Sequence, residues 1–136
     1  MAAGAAVCTL ASTAITQPSV TSNRDIAPTF FANCASCHRP GEIAPFSVLT
    51  YEDARPRAAP ILRAVRERTM PPWEPEPGFG SAFIGERRLS DQQIDVIRRW
   101  VDEGAVPGEP ADLPPPPKFP DGWRLGQPDL VVTLPE

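Results

Sequence analysis

Two cysteines separated by two residues and followed at once by a histidine, Cys34-Ala35-Ser36-Cys37-His38, form the segment of this chain best suited to chemistry. Thiols at that spacing, on one turn, add to the two vinyl groups of a single haem. The neighbouring imidazole is then held under the ring, within reach of the iron. The pattern is a signature of covalent haem attachment. Two other readings stay open. A redox dithiol of the thioredoxin kind requires a βαβ setting, and no such pattern surrounds this motif. A structural zinc site requires four ligands, whereas the motif offers three and no second Cys or His cluster follows.

The second axial position is narrowed by elimination. His38 is the only histidine, so one chain cannot supply two imidazoles. Apart from Met1, the only methionine is Met70, in Arg68-Thr69-Met70-Pro71-Pro72-Trp73. A packing methionine normally fills gaps from a helix face. Met70 instead precedes two prolines, and the first of these restricts its backbone to extended conformations. It is the expected sixth ligand; the alternative is a packing methionine beside an open or water-bound iron. A His/Met pair raises the haem potential and suits electron transfer. Phe46 and Val65 are expected either as cofactor walls or as plain core. Trp73, Arg87 and Arg88 are candidate donors to the haem propionates, but for any one arginine a solvated charge pair is the favoured reading.

Four segments must position these groups. Residues 28–34 open on Pro28 and carry Phe30 and Phe31, predicting a short helix into the Cys motif. Residues 50–69 start with Thr50-Tyr51-Glu52-Asp53, a variant capping box, and place Ile61, Leu62 and Val65 on one apolar face. Pro56 and Pro60 split that stretch into two short helices. Residues 70–85, with four prolines and three glycines, form a loop. Ser90 with Gln93 then caps a helix in which Ile94, Ile97, Trp100 and Val101 recur at helical spacing, ending at Gly104. Phe30, Phe31 and Trp100 are expected to join the first helix to the last. The fold class expected is therefore all-α.

The 136 residues carry a net charge of −4 with the basic side chains dispersed, which leaves no footprint for nucleic acid. No stretch is long and apolar enough for a mature membrane helix. The first 23 residues contain no charged side chain, and residues 2–14 are small and apolar, as in the end of a secretory leader; Cys8 reads as incidental to it. Periplasmic or secreted location is expected. Residues 1–24 are read as leader remnant or disordered, 25–104 as the domain, and 105–136 as a linker or tail. Nine of the 19 prolines lie beyond Gly104, which makes that tail stiff and extended. A core of about 80 residues is small, and a bound haem plate relieves that shortage.

The order of helix, Cys-x-x-Cys-His, proline, methionine and C-terminal helix resembles the monohaem class I cytochrome c fold. That resemblance implies a small helical domain around one covalent haem c, with Cys34 and Cys37 as attachment points and His38 and Met70 on the iron. It further implies a proline carbonyl that orients the histidine, and Pro45 in Ala44-Pro45-Phe46 holds the matching place. Residues 31–46 and 68–73, with Arg88-Leu89-Ser90, Trp100-Val101 and residues 122–130, are also similar to bacterial cytochrome c domains found ahead of copper type II ascorbate-dependent monooxygenase-like domains. The partner implied is a redox protein, such as a copper monooxygenase-like domain. Monooxygenase activity is not implied, since no copper-ligand histidines are present in the chain, which stops at Glu136. The function expected is single-electron transfer without bond chemistry. The alternative is a haem-based gas sensor or peroxidase-like enzyme with a labile sixth ligand.

Overall fold

The computed structural model describes residues 19–76, 78–81, 83–120, 122–123 and 126–133. The expected leader over residues 1–18, with Cys8, lies outside them. Among the described residues all regular structure is helical and no strand occurs, in keeping with the all-α class. No helix among them is long and apolar enough to cross a membrane.

The chain enters through one π-helical turn, Ser22–Ile26, that runs straight into α1, Ala27–Asn33. Pro28 stands in the first turn of α1, where a missing N–H costs no hydrogen bond. Order begins earlier than the sequence implied. Val20 is 4% exposed, and Ser22 and Asn23 are buried, so residues 20–23 pack with the domain. Their partners lie some 80 residues away. The Val20 amide donates to Glu103 Oε2 at 2.7 Å. The amides of Ser22 and Asn23 donate to the carbonyls of Val106 and Pro107, each at 2.9 Å. Asn23 Nδ2 donates to Glu109 O at 2.9 Å. No local pattern reveals such partners.

The proline-bearing middle segment breaks at Pro56, whereas Pro60 falls in the first turn of α3, where its missing N–H costs no helical bond. Thr50 Oγ1 accepts from the Asp53 amide at 3.1 Å and starts α2, Tyr51–Ala54. A 3-10 turn, Arg55–Arg57, holds Pro56, and α3 follows over Ala58–Arg66. Residues 70–81 and 83–90 that are described form no helix. At the near end of this loop Arg68 takes a left-handed conformation, φ 60°. Its guanidinium reaches Leu89 O at 2.6 Å and the Asp91 carboxylate, closing the loop across its base.

The last helix, α4, spans Asp91–Asp102 with both halves of the predicted capping box formed. Ser90 Oγ accepts from Gln93 N at 3.2 Å, and Gln93 Oε1 accepts from Ser90 N at 2.8 Å. At the other end the Ala105 amide donates to Trp100 O and the Gly104 amide to Val101 O, with Gly104 at φ 94°. That is a Schellman stop, and its left-handed residue is the expected glycine. Ile97 and Trp100 of α4 are completely buried, and α4 packs on α3 and on the π turn. Phe30 of α1 supplies the ring against Trp100. Phe31, expected at the same contact, lines instead a second cavity of about 430 Å³ beside Tyr51 and Leu113.

Residues beyond Gly104 do not hang free. Trp100 Nε1 donates to Val106 O and Tyr51 Oη to Ala105 O, both at 3.0 Å. A 3-10 turn follows at Pro110–Asp112. Gly108 approaches Thr21 so closely that a Cβ there would lie 2.6 Å from Thr21 Cβ. Further on, Phe119 packs against the core and lies under the Arg39 guanidinium, 4.1 Å from the ring centroid. Leu113 on the way is half-exposed, and beyond Phe119 the side chains of Trp123, Leu130, Val131 and Val132 are exposed. The extended tail read from the prolines is thus a strap fastened to the domain as far as Phe119.

Candidate functional site

The Cys motif continues the helical trajectory of α1. Phe30 O accepts from the amides of Cys34 and Ala35, both at 2.9 Å, and Cys34 O accepts from those of Cys37 and His38 at 3.1 and 2.9 Å. Cys34, Cys37 and His38 are thereby set on a continuous turn. Ala35 faces the opposite way and is completely buried in the core, which is why a small apolar residue stands between the cysteines.

That turn opens on a cavity of about 530 Å³. Phe30 and Asn33 of α1, the motif residues Cys34, Ser36, Cys37 and His38, and the loop from Ile43 to Phe46 form part of its lining. Pro60, Ile61, Ala64 and Val65 bring α3 to it, and Val48, Met70, Pro71, Pro72 and Arg87 complete it. Of the residues singled out from sequence, Cys34, Cys37, His38, Pro45, Phe46, Val65, Met70 and Arg87 meet there. Trp73 is not among the lining: it packs edge-on against Phe83, centroids 5.9 Å apart. Arg88 is likewise engaged elsewhere, donating to Pro75 O and pairing with Glu86, so it holds the loop. The cavity is of the size of small-molecule and cofactor sites, about 300–1,000 Å³. Its walls are predominantly hydrocarbon.

Cys34 and Cys37 are free thiols, each half-buried. Burial first, and the neighbouring Cys37 second, push the Cys34 thiol up to about 12. A redox-active dithiol needs the reverse, a thiol lowered so that the reactive thiolate forms near neutrality. Among the described residues, no group of three or more His, Cys, Asp or Glu side chains is placed to hold a metal ion.

His38 Nδ1 lies 3.2 Å from the carbonyl oxygen of Phe46. In the neutral ring, donation to that carbonyl places the proton on Nδ1 and leaves the Nε2 lone pair for a ligand. The acceptor was expected to be the Pro45 carbonyl; it is that of the following residue. The reason is in the loop's own hydrogen bonds: the Ala44 amide donates to Cys37 O at 3.2 Å and the Val48 amide to His38 O at 3.0 Å. Those two pins fold the loop over the motif with Phe46 between them. The Phe46 ring also leans on the imidazole, centroids 4.5 Å apart and planes at 52°. Arg57 lies over the Phe46 ring at 4.6 Å from its centroid.

Met70 lines the cavity but remains 45% exposed. Its amide is tied to Ala64 O, the last-turn carbonyl of α3, at 3.3 Å. The sequence reading missed Ile43, 90% exposed at the rim, and the small residue Ala64. Ile61, Ala64 and Val65 share a face at i, i+3, i+4, the pattern that could have signalled Ala64. Nothing local marks Ile43. Comparison of the chain with family models, with curated proteins and with solved structures returns no match.

Proposed function

We propose that this chain is a single-haem electron carrier of the cytochrome c kind, with the haem bound in the 530 Å³ cavity. One observation carries the reading: two thiols, one tautomer-fixed imidazole and one thioether, from segments 32 residues apart, line the same apolar cavity. Cys34 and Cys37 would hold the cofactor through thioether bonds. His38 Nε2, its lone pair free, would ligate the iron from one segment and Met70 sulfur from the other. Phe30, Val48, Ile61 and Val65 exclude water, which lessens reorganisation on electron transfer. Arg87 supplies a cation for the propionates. The bound haem supplies reversible one-electron exchange between ferric and ferrous iron. A redox protein working outside the cytoplasm is the partner this function requires.

Partial exposure of Met70 favours a second reading, a gas-sensing or peroxidase-like haem whose sixth ligand leaves readily. Expression with a periplasmic haem-ligation system tests the central reading. Haem should remain with the polypeptide through acid-acetone extraction and denaturing electrophoresis, and be lost from the Cys34→Ser/Cys37→Ser variant. A wild-type chain without covalent haem refutes the proposal. Carbon monoxide decides between the two roles: slow or absent binding to the reduced protein fits the carrier, and free binding fits the sensor.

A further inference from the structure

Arg57 closes the 3-10 turn Arg55–Arg57 that leads into α3, and it is exposed. No ion pair involves it among the described residues, and its structural contact is the Phe46 ring, 4.6 Å from guanidinium to centroid. Phe46 touches His38 twice, through the ring at 4.5 Å and through the carbonyl that faces Nδ1 at 3.2 Å. The three side chains form one column, from the surface to the imidazole. The loop carrying Phe46 is pinned at Ala44 and Val48, but Phe46 itself is only half-buried. Phe46 packs on the core, and the Arg57 guanidinium lies over its ring, a planar cation suited to an aromatic face.

We propose that Arg57 is a positioning residue for His38, acting through Phe46. The proposal rests on the haem reading above. With Arg57 in place the Phe46 ring and carbonyl stay registered on the imidazole, and the ligand plane keeps one orientation. Without it the ring gains freedom, the carbonyl contact loosens, and the imidazole becomes both less fixed and a weaker donor to iron. An exposed positive charge acting directly on the iron is a different device. It is indifferent to Phe46, is reproduced by lysine, and weakens with salt.

Low-spin ferric electron paramagnetic resonance reads the ligand-plane orientation, and a double-mutant cycle reads the coupling. In the haem-loaded protein Arg57→Ala is expected to shift the g values beyond the wild-type line width. Phe46→Leu should shift them too, and adding Arg57→Ala to Phe46→Leu should produce no further shift. Arg57→Lys should recover little, since it restores charge without a planar stack. Unchanged g values in Arg57→Ala, with or without a fall in melting temperature, overturn the proposal. So does a shift that persists on the Phe46→Leu background, or one that Arg57→Lys restores and salt removes. A wild-type chain carrying no covalent haem fails differently, by lacking the haem absorbance, and overturns the underlying reading.

Discussion

Phe30 and Trp100 meet edge to face, ring centroids 6.3 Å apart and planes at 90°, in the most buried part of the molecule. Phe30 is also part of the cavity wall, and its carbonyl holds the amides of Cys34 and Ala35. The contact therefore binds the core to the motif. Phe30→Ala should lower folding stability by about 3–5 kcal/mol, as large aromatic truncations do, measured by denaturant titration. Trp100→Phe keeps most of the packing but removes the indole donor to Val106 O. Its cost should be about 1–3 kcal/mol. A neutral result for Phe30→Ala would remove the claim that this pair organises the fold.

The strap beyond Gly104 gives a graded expectation. Truncation after Gly104 removes the carbonyl partners of the Ser22 and Asn23 amides, the Asn23 amide group, Trp100 and Tyr51. Each buried donor left unpaired costs about 1–3 kcal/mol, so this truncation should largely unfold the protein. Truncation after Asp112 keeps those partners and loses the Phe119 packing with its Arg39 contact, the latter worth about 2 kcal/mol for a largely buried guanidinium. Thermal melts of the two truncations should differ widely, and equal stabilities would contradict the strap.

Gly108→Ala tests the same strap by a single Cβ. The position has φ 81°, and the new atom would meet Thr21 side-chain atoms at 2.6 Å. A left-handed alanine alone costs about 1–2 kcal/mol, and the close approach adds to it. Stability should fall by roughly 2 kcal/mol or more, with faster hydrogen exchange at Ser22 and Asn23. Exchange at those amides unchanged from wild type would show that the approach to Thr21 is not needed.

In the haem-loaded protein of the proposed function, Met70→Ala should leave the cofactor attached, since Cys34, Cys37 and His38 are untouched. Axial ligation spans haem potentials over about 0.8 V, so losing the thioether should lower the potential by on the order of 0.1 V or more. The weak sulfur-to-iron band should vanish and carbon monoxide should bind. If spectrum and potential both stay as in wild type, Met70 is not a ligand.

A pH dependence follows from Cys34, whose thiol is pushed up to about 12 by burial and by Cys37. In the unfolded chain it ionises near 8.5. A thiol harder to ionise when folded stabilises the fold fully below that unfolded value, and the contribution is lost as pH rises from there toward 12. The chain without haem should therefore lose stability between about pH 9 and pH 11, and Cys34→Ser should lose less. With haem attached the sulfur is a thioether with no proton to release, so this component of the pH dependence should disappear. Denaturant midpoints across that range decide it.

Much of this protein is local and was readable from local sequence. Cys34, Cys37 and His38 lie within five residues, so one helical turn suffices to place them together. The Ser90 and Gln93 cap, the Gly104 stop and the break at Pro56 depend only on near neighbours and on fixed backbone preferences. Met70 was singled out by elimination, because His38 is the only histidine and the only other methionine is Met1. Tertiary structure decided whatever needed a partner far along the chain. Val20 to Asn23 read as leader because their ligands are Glu103 and the carbonyls of residues 106–109. The proline-rich segment read as spacer because proline forbids helix but permits an extended strap, and only packing distinguishes the two. The acceptor for His38 moved from Pro45 to Phe46 because hydrogen bonds at Ala44 and Val48, not the residue type, set which carbonyl turns inward. Arg57 over Phe46 was invisible for the same reason: a contact across 11 residues of irregular backbone has no periodicity to announce it.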